Sequence, residues 1–101
     1  MFFFKKKYES IASSEMNLKT QELIDVRTKS EYQSAHIPKS IHIEMERLLE
    51  SPEKFLKKEQ GYYIICASGM RSARVCKHLS KLGYTVTNVK GGTMSYKGKL
   101  V

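Results

Sequence analysis

Short apolar runs alternate with polar stretches of helical character along the chain, and this alternation limits the fold more than any other feature. Several of the runs are rich in the β-branched and aromatic residues that strands favour. Strands that alternate with helical segments build a parallel sheet. We therefore predict an α/β fold with a small parallel sheet of about four to five strands, flanked by helices on both faces. The predicted strands are residues 8–11, 23–26, 41–43, 62–65 and 85–89.

The clearest helix is predicted from about Arg71 to Leu82, immediately before Gly83, a natural helix stop. Its apolar residues recur at spacings of three, and we expect them on one face: Ala73, Cys76, Leu79 and Leu82. Shorter helical segments are predicted from their capping residues. They are a turn capped by Ser13 or Ser14, a turn capped by Thr28 or Ser30 and ended by Pro38, residues 44–49, and a helix through Leu56 that Ser51 caps with Pro52 at its first position.

The length of 101 residues suits a single domain spanning residues 1–101. Three phenylalanines precede three lysines in residues 2–7, which is the reverse of the order in a secretory signal, so we expect a frayed terminus at 1–7. No apolar run approaches the roughly 20 residues that a membrane-spanning helix needs. These features predict a cytoplasmic protein without a membrane partner.

The two cysteines, Cys66 and Cys76, stand ten positions apart. This spacing in a chain without an export signal argues against a disulfide framework and favours a reducing compartment. Neither cysteine has a second one at the short spacing of a zinc site, and the histidines form no ligand cluster with them: His36, His42 and His78. We therefore predict no metal and no other cofactor.

The chain is basic, with 18 Lys+Arg against 10 Asp+Glu and a net charge of +8. The lysines are spread along the sequence, and only residues 5–7 form a basic cluster. Nucleic-acid binding usually needs basic residues concentrated on one surface. We therefore predict no nucleic-acid partner, and a basic surface that favours small anionic substrates.

The segment from Cys66 to Ser72 carries the strongest chemical signal. A strand delivers Cys66 to the carboxyl edge of the sheet, where open α/β folds place their ligands. Gly69 allows the loop to curl, so that backbone N–H groups and the start of the next helix face the sulfur. Arg71 adds a fixed positive charge. Together these groups favour the thiolate, which makes Cys66 a predicted nucleophile, whereas Cys76 is predicted to pack in the core.

The chain resembles the rhodanese homology domain in three segments that follow the order of that family. Residues 23–27 (Leu-Ile-Asp-Val-Arg), with 31–32 and 36–38 after them, are similar to the first family signature. Residues 66–72 match the second signature, in which glycine, arginine and serine follow a cysteine. Residues 89–92 match the closing element. The resemblance covers nearly the whole chain.

The sequence departs from the family pattern at three positions outside the cysteine loop. Ala35 and Lys39 stand where the family usually has glycines, and Tyr96 replaces a usual tryptophan. These changes affect loop shape and stability more than chemistry, because the Cys66–Ser72 signature is intact.

The resemblance implies a thiosulfate sulfurtransferase, in which Cys66 takes a sulfane sulfur from a small anionic donor and holds it as a persulfide. The implied acceptor is a thiol, cyanide or a sulfur-carrier protein. Substrate binding is expected from the loop residues Ala67, Ser68, Gly69, Met70, Arg71 and Ser72. Supporting scaffold roles are expected for Asp25, Arg27 and His36. Glu31 lies within helical reach of Arg27, and we expect it to be either an ion-pair partner of Arg27 or a solvated charge.

Two other functions are compatible with the same signature. Related phosphatases and arsenate reductases have five residues between cysteine and arginine, whereas four separate Cys66 from Arg71. The shorter loop favours a sulfane sulfur over a tetrahedral oxyanion. A non-catalytic, partner-binding module of the same fold is the other alternative, and the retained cysteine argues against it.

Overall fold

Five parallel strands form one sheet in the computed structural model, which describes residues 8–101. The strands are β1 (Glu9–Ala12), β2 (Glu22–Asp25), β3 (Ile41–His42), β4 (Gly61–Ile65) and β5 (Thr85–Lys90). Their order across the sheet is β1-β5-β4-β2-β3, and every neighbouring pair is parallel. The predicted α/β class is confirmed. The frayed terminus predicted at 1–7 lies outside the described residues.

Three α-helices connect the strands: α1 (Lys29–Ser34), α2 (Met45–Glu50) and α3 (Met70–Lys81). The 3₁₀ turns are Ser13–Glu15, Pro52–Lys54 and Thr93–Ser95. Thr28 caps α1 as one of the two predicted candidates: its hydroxyl accepts the Glu31 N–H, and the Glu31 carboxylate accepts the Thr28 N–H. This reciprocal capping box stabilises a helix too short to persist alone.

One predicted cap is wrong, and another is correct in position only. Ala12, rather than Ser13 or Ser14, occupies the cap position of the first 3₁₀ turn, and the Glu15 carboxylate accepts the Ala12 N–H at 3.0 Å. Ser51 stands at the predicted cap position with Pro52 after it, but its side chain makes no capping hydrogen bond. The segment after it is a single 3₁₀ turn rather than a helix through Leu56. The Ser51 carbonyl, not its hydroxyl, accepts an N–H of this turn, that of Lys54 at 3.1 Å.

The sheet divides the core into two apolar layers. The larger layer packs α2 and α3 against the sheet, and it includes Leu48, Val75, Leu79 and both cysteines. The smaller layer is built on Leu23, Ile37, Tyr63, Ile65 and Val89, with partly buried residues from β1 and from loops against them. No helix among residues 8–101 is long and apolar enough to cross a membrane.

One residue of the predicted apolar face of α3 is wrongly placed. Leu82 is 44% exposed, whereas Ser72 and Val75 are fully buried. An α-helix has 3.6 residues per turn, so residues at a strict spacing of three drift round the helix and leave the buried face. The buried residues of α3 instead combine spacings of three and four: Ser72, Val75, Cys76 and Leu79.

Candidate active site

Cys66 lies at the carboxyl end of β4, in the middle of the sheet. The strand is paired on both sides, with β2 and β5, so its end is enclosed by neighbouring backbone. Cys66 has no exposed surface. The sequence therefore places a thiol at the ligand-binding edge of the sheet but beneath the surface.

Three donors from the following loop and helix point at the Cys66 sulfur. The Gly69 N–H is 3.1 Å from Sγ, and the N–H and hydroxyl of Ser72 are each at 3.4 Å. Gly69 has a φ of 100° and is the N-cap of α3. A Cβ on Gly69 would also lie 3.0 Å from the Gly91 nitrogen, so only glycine closes the loop without strain. The N–H groups predicted to face Cys66 are therefore present, and together they form a cup around its sulfur.

The pKa of Cys66 reflects two opposing effects. Burial is the largest single influence and raises the pKa, because it disfavours the thiolate. Hydrogen bonds from the Ser72 hydroxyl and from the N–H groups of Ser72, Gly69 and Ser68 act in the other direction. Together they outweigh burial, so the pKa of Cys66 lies below the ordinary thiol value of 9.0. A lowered pKa of this origin is typical of a nucleophilic cysteine.

The turn after β5 holds the backbone of the cysteine loop. The Thr93 N–H donates to the Cys66 carbonyl at 2.9 Å, and the Met94 N–H donates to the Ala67 carbonyl at 3.0 Å. A Cβ on Gly92 would overlap both of those carbonyl oxygens. Gly92 therefore allows two backbone segments to touch, which fixes the start of the loop.

Asn88 is a site residue that the sequence analysis missed. It is buried on β5, its Oδ1 lies 2.6 Å from the Ser72 hydroxyl oxygen, and its Nδ2 lies 3.5 Å from the Gly69 carbonyl. The Ser72 hydroxyl has a single proton, which it shares between Asn88 and the Cys66 sulfur. Asn88 thus connects two of the residues that donate to Cys66. A polar amide inside a predicted buried strand was the available signal, since such groups are retained where they have partners.

Arg71 does not hydrogen-bond to the cysteine. Its Nη1 and Nη2 donate to Oε1 and Oε2 of Glu31 at 2.8 and 2.9 Å. The predicted Glu31–Arg27 ion pair is therefore wrong, because Glu31 projects from α1 toward the first turn of α3. The pairing lowers the pKa of Glu31 to about 2, mainly through the hydrogen bond from Arg71. The same bond, then the charge of Glu31 and after it that of Cys66, raise the pKa of Arg71.

Asp25 and Arg27 form the scaffold ion pair that the family resemblance implied. Arg27 Nη2 is 2.8 Å from Asp25 Oδ2, and both side chains are almost fully buried. The same nitrogen donates to the Ala35 carbonyl at 2.8 Å, which ties the end of β2 to the segment after α1. A buried pair satisfied in this way fixes loop geometry next to β4.

His36 orders its own turn and does not contact the Cys66 sulfur. Its Nδ1 is 2.7 Å from the Tyr32 carbonyl, and its ring stacks on the Tyr32 ring at 3.8 Å between centroids. Its backbone N–H and C=O bond to Val101. The proposed scaffold role agrees with these contacts.

The remaining loop residues and the second cysteine have simpler surroundings. Ala67 is half-buried, Ser68 is exposed, and the Met70 side chain is 76% exposed at the start of α3. Cys76 is fully buried on the inner face of α3, as predicted. Burial, the larger cause, and the charge of Cys66 raise the pKa of Cys76 to about 12. Cys76 is therefore a packing residue at neutral pH.

Known proteins are similar to this chain in sequence. The family model described as Rhodanese-like domain matches residues 10–99. The "Putative sulfurtransferase YtwF" of Bacillus subtilis (strain 168) is 44% identical over 77 residues, which are 76% of this chain and 74% of that protein. The "Thiosulfate sulfurtransferase GlpE" of Coxiella burnetii (strain RSA 331 / Henzerling II) is 33% identical over 76 residues, 74% of this chain and 70% of that protein. Two further relatives are matched over less than half of their own length.

Solved structures share the fold. A crystal structure of a rhodanese-related protein from Thermoplasma volcanium superposes with a TM-score of 0.84 at 33% sequence identity. The match covers 93% of this chain and 98% of that one, so the likeness extends over the whole sheet and its connections.

Proposed function

The chain belongs to the rhodanese-like domain family, and we propose that it transfers a sulfane sulfur atom through a persulfide on Cys66. The family match and the relatives named as sulfurtransferases support a rhodanese-type sulfurtransferase in general terms. The donor, the acceptor and the persulfide intermediate are the parts that we propose.

The first step loads the sulfur. The Cys66 thiolate attacks the outer sulfur of an anionic donor such as thiosulfate, a Cys66–S bond forms, the donor S–S bond breaks, and sulfite leaves with the bonding electron pair. The product is a Cys66 persulfide anion. The N–H groups of Gly69 and Ser72 stabilise negative charge in the cup throughout, because they are already oriented before the reaction.

The second step unloads the sulfur. A thiolate, cyanide or the thiol end of a sulfur-carrier protein attacks the outer persulfide sulfur, and the Cys66 thiolate is released. No general base is needed once Cys66 is ionised, and the lowered pKa of Cys66 favours that form. The two steps give double-displacement kinetics. Because Cys66 has no exposed surface, while Ser68 and Met70 are exposed, donor and acceptor must approach through a movement of this loop.

The observation that carries the proposal is the set of N–H and O–H donors directed at one buried sulfur. Mass spectrometry after incubation with thiosulfate tests it. We expect a gain of one sulfur on the peptide that contains Cys66. Cys76 is the internal control, because cleavage after Arg71 and Arg74 puts the two cysteines on separate peptides. Sulfur on neither peptide, from any donor, would favour the non-catalytic partner-binding module.

A phosphatase or arsenate reductase is the weaker alternative. The guanidinium of Arg71 is bound to Glu31, so it is not free to hold an oxyanion over the cysteine. Hydrolysis of an aryl phosphate that is lost in a Cys66→Ser variant would promote this alternative.

The cytoplasmic location stays a proposal. Both cysteines are unpaired thiols, which agrees with a reducing compartment.

A further inference from the structure

The positive charge of Arg71 is neutralised by the carboxylate of Glu31. One carboxylate binds both of its terminal nitrogens, and the two side chains are 31% and 33% exposed. The Glu31 carboxylate also accepts the N–H and the hydroxyl of Thr28 at 3.1 and 3.0 Å. Glu31 is thus held from two sides, and its low pKa of about 2 means that it keeps its charge under all ordinary conditions.

The second arginine near the cysteine is neutralised in the same way. Arg27 forms its buried ion pair with Asp25 at the end of β2, beside the end of β4. The Cys66 thiolate therefore has two arginines in its neighbourhood, and each of them carries its own carboxylate. Neither arginine therefore offers an unpaired positive charge to a donor that carries two negative charges.

We propose that Glu31 selects the sulfur donor by keeping the Arg71 guanidinium from binding the sulfonate group of thiosulfate. The inference rests on the proposed sulfur transfer at Cys66. A sulfonate matches the fork of a guanidinium as a carboxylate does, so thiosulfate must displace Glu31 to use Arg71. A persulfide has no sulfonate and carries at most one negative charge on its sulfurs. The site therefore favours persulfide donors over thiosulfate.

Both donors load the same atom. With a persulfide, the Cys66 thiolate attacks the outer sulfur, the donor S–S bond breaks, and the donor thiolate leaves with the electron pair. The proton of the outer sulfur, when present, stays on the new Cys66 persulfide. No oxidant or reductant enters either reaction, so the donors differ only in the charge and shape of the leaving group, sulfite or a thiolate.

Glu31 acts through Arg71, which makes it a positioning residue, and a Glu31→Gln variant tests this role. Glutamine keeps the side-chain oxygen that completes the capping box with Thr28, but it removes the charge that neutralises Arg71. We expect the KM for thiosulfate to fall by about tenfold, equivalent to about 1.4 kcal/mol, with a smaller change in kcat. For the persulfide of an uncharged small thiol, N-acetylcysteine amide, we expect kcat/KM to change much less.

Two matched variants separate this role from other effects. Glu59→Gln makes the same charge change at an exposed residue before the start of β4, at the opposite end from Cys66, and should leave both donors unaffected. Adding Arg71→Met to the Glu31→Gln variant should abolish the fall in the KM for thiosulfate. If Glu31→Gln does not fold, Glu31→Asp, with a shorter reach, should still lower the KM for thiosulfate, though by less.

A KM for thiosulfate that stays the same or rises in Glu31→Gln would overturn the inference, since Glu31 would then only orient Arg71 for substrate. That result leaves the sulfurtransferase proposal intact, provided that the unmodified protein takes up sulfur on Cys66. Absence of sulfur uptake from both donors in the unmodified protein would instead refute the proposed function itself.

Discussion

Two thiols of this protein are equally buried and yet have opposite acid–base properties. Cys66 and Cys76 both have no exposed surface and belong to the same apolar layer. The pKa of Cys66 is below 9.0, whereas the pKa of Cys76 is raised to about 12. Cys66 follows a strand and faces the N–H groups at the start of α3, which have no partner within the helix. Cys76 lies six residues after Met70, the first residue of α3, where the backbone N–H groups are bonded within the helix.

The difference teaches that burial does not decide the chemistry of a cysteine. Removal from water raises the pKa of both thiols. Only Cys66 is offered hydrogen-bond donors that favour its charged form, and these come mostly from backbone that cannot be changed by side-chain substitution. The lowered pKa at position 66 is thus produced by the strand–loop–helix connection that surrounds the thiol.

The largest expected effect is the loss of sulfur transfer on replacement of one cysteine but not the other. Cys66→Ser should lower turnover by more than about a thousandfold, because the nucleophile is removed. Cys76→Ala should retain turnover and lose about 1 kcal/mol of stability through a small cavity. A steady-state sulfur-transfer assay with denaturant unfolding measures both, and retained activity in Cys66→Ser would contradict the assignment.

Gly92 and Gly83 form a pair that tests how far the cup depends on close backbone contact. In Gly92→Ala the new Cβ overlaps the carbonyls of Cys66 and Ala67, so we expect a loss of about 3 kcal/mol or more. Gly83 has a φ of 95°, but a Cβ there would meet only the flexible Lys58 side chain at 3.8 Å. We therefore expect Gly83→Ala to lose only about 1–2 kcal/mol of stability. Urea unfolding compares the two variants, and equal losses would argue against the close contact.

The two thiols should also give opposite dependences of stability on pH. The lowered pKa of Cys66 adds stability as pH rises from that pKa to 9.0, because the unfolded thiol holds its proton longer. Above 9.0 the unfolded Cys76 ionises before the folded one, whose pKa is about 12, so stability falls by up to about 1.4 kcal/mol per pH unit. We would measure the free energy of unfolding of Cys76→Ala between pH 8 and pH 10, about one unit on either side of the ordinary thiol value. It should not fall over this range, and a fall identical to that of the unmodified protein would show that Cys76 is not the source.

Within residues 8–101, Ser72 is the only residue whose side chain donates to Cys66, and removal of its hydroxyl should weaken the contrast between the thiols. The Ser72→Ala variant loses the hydroxyl donor and keeps the backbone donors. Because the thiolate is then less stabilised, iodoacetamide should react with Cys66 roughly three- to tenfold more slowly at neutral pH. Ser68→Ala is the matched control, since Ser68 contributes only its backbone N–H to the cysteine. An unchanged rate in Ser72→Ala would assign the effect to the backbone alone.

The smallest expected effect lies at the edge of the site. The lowered pKa of Glu31 contributes stability that is present above pH 4.5 and is lost as pH falls toward about 2. Because the Glu31–Arg71 pair is about one-third exposed, the contribution should be less than about 1 kcal/mol. Acid unfolding of Glu31→Gln beside the unmodified protein measures this contribution. A difference in the free energy of unfolding larger than about 1 kcal/mol would mean that the Glu31–Arg71 pair also fixes the conformation of the cysteine loop.

Local patterns predicted most of the fold and the cysteine loop. β2 and β4 contain short apolar runs, β5 is rich in β-branched residues, and the order of strand, cysteine, glycine and helix is contiguous between residues 62 and 82. The partners of that loop were harder to predict, because they come from distant segments. Glu31 is 40 residues from Arg71, and nothing in the sequence distinguishes it as a partner from the nearer Arg27. Asn88 pairs with Ser72 across two elements, so its role appears only when the sheet is assembled.

The most direct test of the account is the pH dependence of alkylation of Cys66 in the Cys76→Ala protein. The rate constant should follow a single ionisation with a midpoint below 9.0, because the N–H and O–H donors favour the thiolate more than burial disfavours it. A midpoint at or above 9.0 would mean that burial prevails at Cys66 as it does at Cys76, and the loop would then not be the source of a nucleophile.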